Sequence, residues 1–184
     1  EADSLNRIDL ALRCLYMEGQ GRRILVDTGI GDKWSPEMVE MLDIRMPAGG
    51  VTEVLAPLKV TPEQITDVFL THLHFDHAGG ATRRDDSGEL VPTFPNATYY
   101  VQRRNLEWAG KPNEKERASY LPENYQPLID QDRLVLFNGL KEFMPGVTSV
   151  VSDGHTEGLQ MLRVEGDGTA LYYCADLIPT IAHI

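Results

Sequence analysis

From Ile8 to Met17 apolar side chains fall on the even positions 8, 10, 12, 14 and 16, the two-residue period of a half-buried strand. Glu18-Gly19-Gln20-Gly21 supplies turn chemistry, and Arg23 to Gly29 reads as a second strand closing in a glycine bend, so the pair predicts a hairpin. Ser35-Pro36-Glu37 opens a helix with an N-cap, a proline at the first helical position and an acid in the first turn; Thr61-Pro62-Glu63 repeats the signal for a short helix. Asp67 to Thr71 is a continuous apolar strand, the pattern expected where both faces are covered. Residues 97–101 predict a strand and residues 103–109 a helix. The polar stretch from Lys111 to Pro127 is expected to be a surface excursion or lid, with Glu114-Lys115-Glu116-Arg117 a solvated face without function. Short strands follow at 134–137, 147–152, 159–164 and 170–174. Strands, a helical middle and strands again imply an α+β domain, two sheets flanked by helices in four layers across residues 1–184.

Composition adds limits. With 42% hydrophobic and 24% charged residues the chain is ordinary globular protein. Seventeen basic against 28 acidic side chains give a net charge of −11, which disfavours nucleic acid and anionic membrane surfaces as partners. No apolar run approaches the ~18 residues of a spanning helix. Cys14 and Cys174 are too few for a disulfide scaffold, so a cytoplasmic location is expected, and both read as small buried side chains in apolar strands. Glu1 stands where a Met would begin a chain, and Ile184 follows close on the apolar run ending at Cys174. These ends read as those of a piece cut from a longer protein at both termini.

Three of the five histidines crowd into Thr71-His72-Leu73-His74-Phe75-Asp76-His77-Ala78-Gly79-Gly80. The cluster follows a buried strand, so it sits in a loop at a sheet edge. His72 and His74, two apart in extended chain, point to one side, and the turn after them presents Asp76 and His77. Neutral imidazoles converging with a carboxylate are what a metal site needs. Gly154-His155-Thr156 places a fourth histidine in a turn between strands. Asp176, just past Leu171 to Cys174, puts an acid where it needs a partner or an ion.

Together with Asp27-Thr28-Gly29, these segments resemble the metallo-β-lactamase superfamily of metallohydrolases. Asp176-Leu177-Ile178-Pro179-Thr180 and Phe94-Pro95-Asn96-Ala97 look like the branch of N-acyl homoserine lactonases and methyl parathion hydrolase-like proteins. The resemblance spans residues 5–184 and implies a four-layer αββα sandwich with a dinuclear metal site at one end of the sheets. It implies two divalent ions, zinc first, with manganese or iron as alternatives. The first ion falls to His72, His74 and His155, the second to Asp76 and His77, and Asp176 bridges both. Asp76 has a second, catalytic task in orienting the attacking hydroxide or shuttling its proton. A further family histidine, several tens of residues beyond the bridging acid, falls past Ile184. The second ion is therefore expected to be held more loosely, and His183 to serve the substrate side or the structure. Apolar surface around residues 159–174 is expected to be bare, calling for a partner chain, self-association as a homo-oligomer, or a nicked but attached polypeptide.

The implied activity is a metal-dependent hydrolase using a metal-activated hydroxide on a small-molecule ester, lactone or related substrate. The alternatives are an iron-dependent oxidoreductase of the same superfamily and a truncated, non-catalytic binding module; bound-metal analysis separates the three. Among neighbouring residues, Asp27 reads as a partner of a ligand histidine or loop amide, or as a strand cap. Glu157 reads as a support of the site or a solvent-facing turn residue. Tyr120, Tyr125, Trp108 and Phe75 read as groove or core, and Thr71 and Gly79-Gly80 as loop geometry.

Overall fold

A computed structural model of the protein describes residues 2–47 and 49–184. One sheet is built from β1 (Leu15–Gly19), β2 (Arg22–Val26), β3 (Asp67–Phe69), β6 (Thr98–Gln102) and β7 (Leu134–Phe137), in that order. β1 and β2 form the expected antiparallel hairpin, and β2, β3, β6 and β7 run parallel. The second sheet is antiparallel, in the order β11 (Thr169–Tyr173), β10 (Leu159–Gly166), β9 (Val147–Ser152) and β8 (Glu142–Met144). β4 (Thr82–Arg84) and β5 (Leu90–Pro92) make a separate hairpin.

Alternation along the strands of the first sheet divides the interior in two. Leu25, Val68, Tyr99 and Val101 face the helices α2 (Val51–Leu55), α4 (Arg103–Gly110) and α5 (Gln126–Asp130), packing with Val51, Leu55, Ala109 and Leu128. Their neighbours Val26 and Phe69 face the second sheet and meet Val147 and Leu162, with Phe143, Met144 and Tyr173 around them. Helices, sheet and sheet are thus stacked in order, while Thr148, Val150, Met161 and Tyr172 on the far side of the second sheet stay half-buried or exposed. Arg22 ties the sheets together at the end away from the histidine loop, pairing with Asp67 and donating to the Phe143 carbonyl.

Several expectations need correction. The strand expected from Ile8 begins only at Leu15, and Ile8, Leu10 and Leu12 are exposed. The pairing stops at Leu15–Val26 because β2 ends there: Asp27 turns away with φ of 57°, which leaves residues 8–14 without a ladder. Helix α1 (Pro36–Leu42) starts at the Ser35 cap as read, but Pro62–Gln64 is a single 3-10 turn. The Lys111–Pro127 stretch is not wholly a surface excursion. Tyr120, Asn124, Tyr125 and Pro127 are buried, because two further 3-10 turns fold it back against the core. No helix among the described residues is long and apolar enough to cross a membrane.

Candidate metal centre

Four chain segments converge at one end of the two sheets. His72 and His74 follow β3, and the one-turn helix α3 (Phe75–Ala78) carries Asp76 and His77. His155 lies between β9 and β10, and Asp176 sits in a 3-10 turn after β11, behind Ala175 with φ of 46°. The strand end Asp27-Thr28-Gly29 latches α3 in place: Thr28 N and Oγ1 donate to the His77 carbonyl at 2.7 and 2.9 Å, and Gly80 N donates to Gly29 at 3.1 Å.

The donor atoms form two overlapping groups. In each of His72–His74–His155 and His72–His77–Asp176, one nitrogen or carboxylate oxygen per residue lies within 4.8 Å of the others. Asp176 reaches both groups, with Oδ1 3.2 Å from His77 Nε2 and Oδ2 3.6 Å from His155 Nε2. Asp76 stands at the edge of the second group, its Oδ2 3.7 Å from His77 Nε2. His183 is apart from the cluster, its Nδ1 2.9 Å from Thr180 Oγ1.

Outer partners fix which nitrogen of His72 and of His77 turns inward. Thr71 Oγ1 donates to Asp27 Oδ2 at 2.9 Å and so accepts from His72 Nδ1 at 3.0 Å, which leaves His72 Nε2 as the free nitrogen. Asp27 Oδ2 also takes His77 Nδ1 at 2.8 Å, and its Oδ1 takes the Thr71 amide at 2.8 Å. Of the two readings of Asp27, this geometry is that of the histidine and amide partner, and Thr71 does more than shape the loop. Asn105, fully buried, clamps the two histidine loops: its Oδ1 accepts from Leu73 N and its Nδ2 donates to the Glu157 carbonyl, both at 2.8 Å. Gln160 holds the Thr71 and Leu70 carbonyls from the second sheet. Neither amide was legible in the sequence, where a lone Asn in a helix and a lone Gln in a strand carry no pattern.

Glu116 is a second departure from the sequence reading. The carboxylate, expected in solvent, accepts from Thr156 Oγ1 at 2.6 Å and Trp108 Nε1 at 3.0 Å, 3.7 Å from His74 Nε2. Tyr120 packs its ring against His74 at 4.7 Å between centroids, while Glu157 pairs with Arg104 at the surface.

Charge follows burial and pairing. Burial, reinforced by the other imidazoles, pushes His72 well below the ordinary histidine value; burial and then His155 bring His74 down to about 4. Both rings are therefore neutral at pH 7, the form that ligates metal. For His77 burial works against the proton, but Asp27, Asp176 and Asp76 overrule it and hold it up to about 11. Burial raises Asp76 above the usual carboxylate range; for Asp176 the contact with His77 overrules burial and keeps it below. The donor set fits divalent metal. His72 Nε2 is buried with no hydrogen-bond partner among the described residues, a loss of about 1–3 kcal/mol unless a ligand takes its lone pair. Beside the cluster lies a cavity of about 360 Å³ with Leu12, Cys14, Tyr172, Ile178 and Pro179 in its wall.

The chain belongs to the metallo-beta-lactamase superfamily, whose profile it matches over residues 12–184. An N-acyl homoserine lactonase from a Bacillus species is 29% identical over 167 residues, 86% of this chain and 60% of the relative. A probable metal-dependent hydrolase from Staphylococcus aureus superposes with a TM-score of 0.86 at 28% identity, covering 99% of this chain and 64% of its own. An N-acyl homoserine lactone hydrolase, solved with the product N-hexanoyl-L-homoserine at its catalytic metal center, gives 0.65 at 27% identity over 84% of this chain and 58% of its own. The chain thus spans about three-fifths of the length of the curated relatives it matches.

Proposed function

We propose that the protein is a metal-dependent hydrolase that opens lactones, with N-acyl homoserine lactones as the substrate class to try first. The observation that carries this reading is the position of Asp176, one oxygen toward each of two donor groups that share His72. In this reading His72, His74 and His155 would hold one ion and Asp76 and His77 the other, with Asp176 serving both. Divalent ions held by these donors, zinc first among them, supply Lewis acidity that brings the ionisation of water into the neutral range and draws charge off a scissile carbonyl. Asp76 orients the attacking water and carries its proton to the leaving alkoxide. Asp27 and Thr71 keep His77 and His72 in the ligating tautomer. The apolar wall of the adjacent cavity, of a size ordinary for small-molecule sites, receives the acyl chain. The relatives named for lactone hydrolysis support the same chemistry. With both cysteines free, we place the protein in the cytoplasm.

The test is turnover of N-hexanoyl-L-homoserine lactone, an aryl ester and a phosphotriester by zinc-loaded chain. Lactone opening is expected to be fastest, and to vanish on chelation and in His74→Ala. A zinc-loaded chain that opens no lactone, or a His74→Ala variant with full activity, would contradict the proposal.

A further inference from the structure

Glu114, Lys115 and Arg117 lie exposed, whereas the Glu116 carboxylate turns inward and is held before any ligand arrives. Its Oε2 accepts from Thr156 Oγ1 at 2.6 Å and Trp108 Nε1 at 3.0 Å, its Oε1 accepts from Asn113 Nδ2 at 3.1 Å, and its own amide donates to Asn113 Oδ1 at 2.9 Å. Because Thr156 spends its proton on Glu116, the Tyr120 hydroxyl donates to Thr156 Oγ1 at 2.6 Å and closes the network. A surface glutamate needs no such scaffold. The scaffold leaves Oε2 3.7 Å from His74 Nε2, a buried nitrogen with no hydrogen-bond partner among the described residues. The other nitrogen of that ring, Nδ1, lies 3.1 Å from His155 Nε2 and faces the donor cluster. His72 and His77 each have an oxygen behind the ring, from Thr71 and Asp27; on His74 the corresponding nitrogen faces Glu116.

We propose that Glu116 is a positioning residue for the three-histidine group: it takes the Nε2 proton of His74, fixes the tautomer that leaves the Nδ1 lone pair toward His72 and His155, and through Thr156 ties that ring to the turn carrying His155. The inference rests on the metal centre of the proposed function. A carboxylate behind a ligating imidazole orients the ring and raises its basicity, and losing such a partner costs about 10- to 100-fold in metal affinity. At 3.7 Å the pair lies just beyond hydrogen-bond distance, and a bound ion that fixed the ring would let it close.

Glu116→Gln tests the idea, because its amide oxygen can still accept from Thr156 and Trp108 while the charge is gone. Metal-free wild type and variant are titrated with zinc against a chromophoric chelator, and the metal-free melting temperatures are compared. The expected result is about 10- to 100-fold weaker zinc binding at the tighter site with nearly unchanged melting. Equal zinc affinity overturns the positioning role alone; a wild type that binds no zinc overturns the metal centre and this role together. A second measurement needs no variant. Ring nitrogen spectra of zinc-loaded, ¹⁵N-labelled wild type are expected to show His74 protonated at Nε2 and ligating through Nδ1, and ligation through Nε2 would overturn the proposal.

Discussion

Asp27 carries several duties on one buried carboxylate. It holds the Thr71 amide and hydroxyl and the His77 ring, and its Oδ2 lies 3.3 Å from the Tyr173 hydroxyl. Its negative charge also reaches Cys14, whose thiol is pushed up to about 12, first by burial and then by Asp27. In the folded chain Cys14 therefore stays a thiol where an unfolded one, at 9.0, ionises. This contribution to stability is fully present below pH 9 and is lost as pH rises from there through about 12. At pH 8 the raised value leaves much less thiolate, so alkylation of Cys14 by iodoacetamide should be slower than in urea-unfolded chain by at least about 10-fold. Mass spectrometry of the Cys14 peptide reads the rate, and equal rates in the two states would contradict the burial assigned to it. The sequence showed Asp27 through its place at a strand end, and the ligand candidates through their spacing. It hid Glu116 in a run of mixed charge, because the inward turn of one side chain depends on Trp108, Asn113 and Thr156, and that contact leaves no periodic trace.

Between β2 and α3 the backbones touch. A Cβ on Gly79 would overlap the Ile30 carbonyl and one on Gly80 the Thr28 carbonyl, so these glycines let the α3 turn dock on the strand end that carries Asp27. Gly80→Ala should lower stability by about 1–3 kcal/mol through overpacking and weaken zinc binding with it, since the displaced turn holds Asp76 and His77. Urea unfolding with a parallel zinc titration checks both, and wild-type values for the two would mean the docking is slack. The strands and helices with clear alternation or caps were legible: the β1–β2 hairpin, α1 behind Ser35 and the buried β3. Others were not. Residues 8–14 alternate as a strand should, yet β2 ends before it can pair with them. β4, β5 and β8 are three residues each, too short for a period to show.

Across the whole molecule, the sheet pair brings together at one end residues that lie far apart in sequence, with His72 to His77 from one sheet and His155 and Asp176 from the other. In the proposed reading that convergence would leave net positive charge in a chain of net charge −11, because two divalent ions would meet only two carboxylates, Asp76 and Asp176, among their six donors. The class of fold was legible in the run of strands, helical middle and strands, and in the motifs that resemble the superfamily. Which groups share an ion came from the resemblance alone, since residue spacing does not show how the second sheet lies across the first. The central claim is that Asp176 joins two metal-binding groups, and zinc bound per chain, measured by elemental analysis after equilibrium dialysis of wild type and Asp176→Ala, tests it most directly. The account predicts two zinc ions in the wild type and one in the variant, held by His72, His74 and His155. A wild type that holds none, or an Asp176→Ala chain that keeps both, would contradict it.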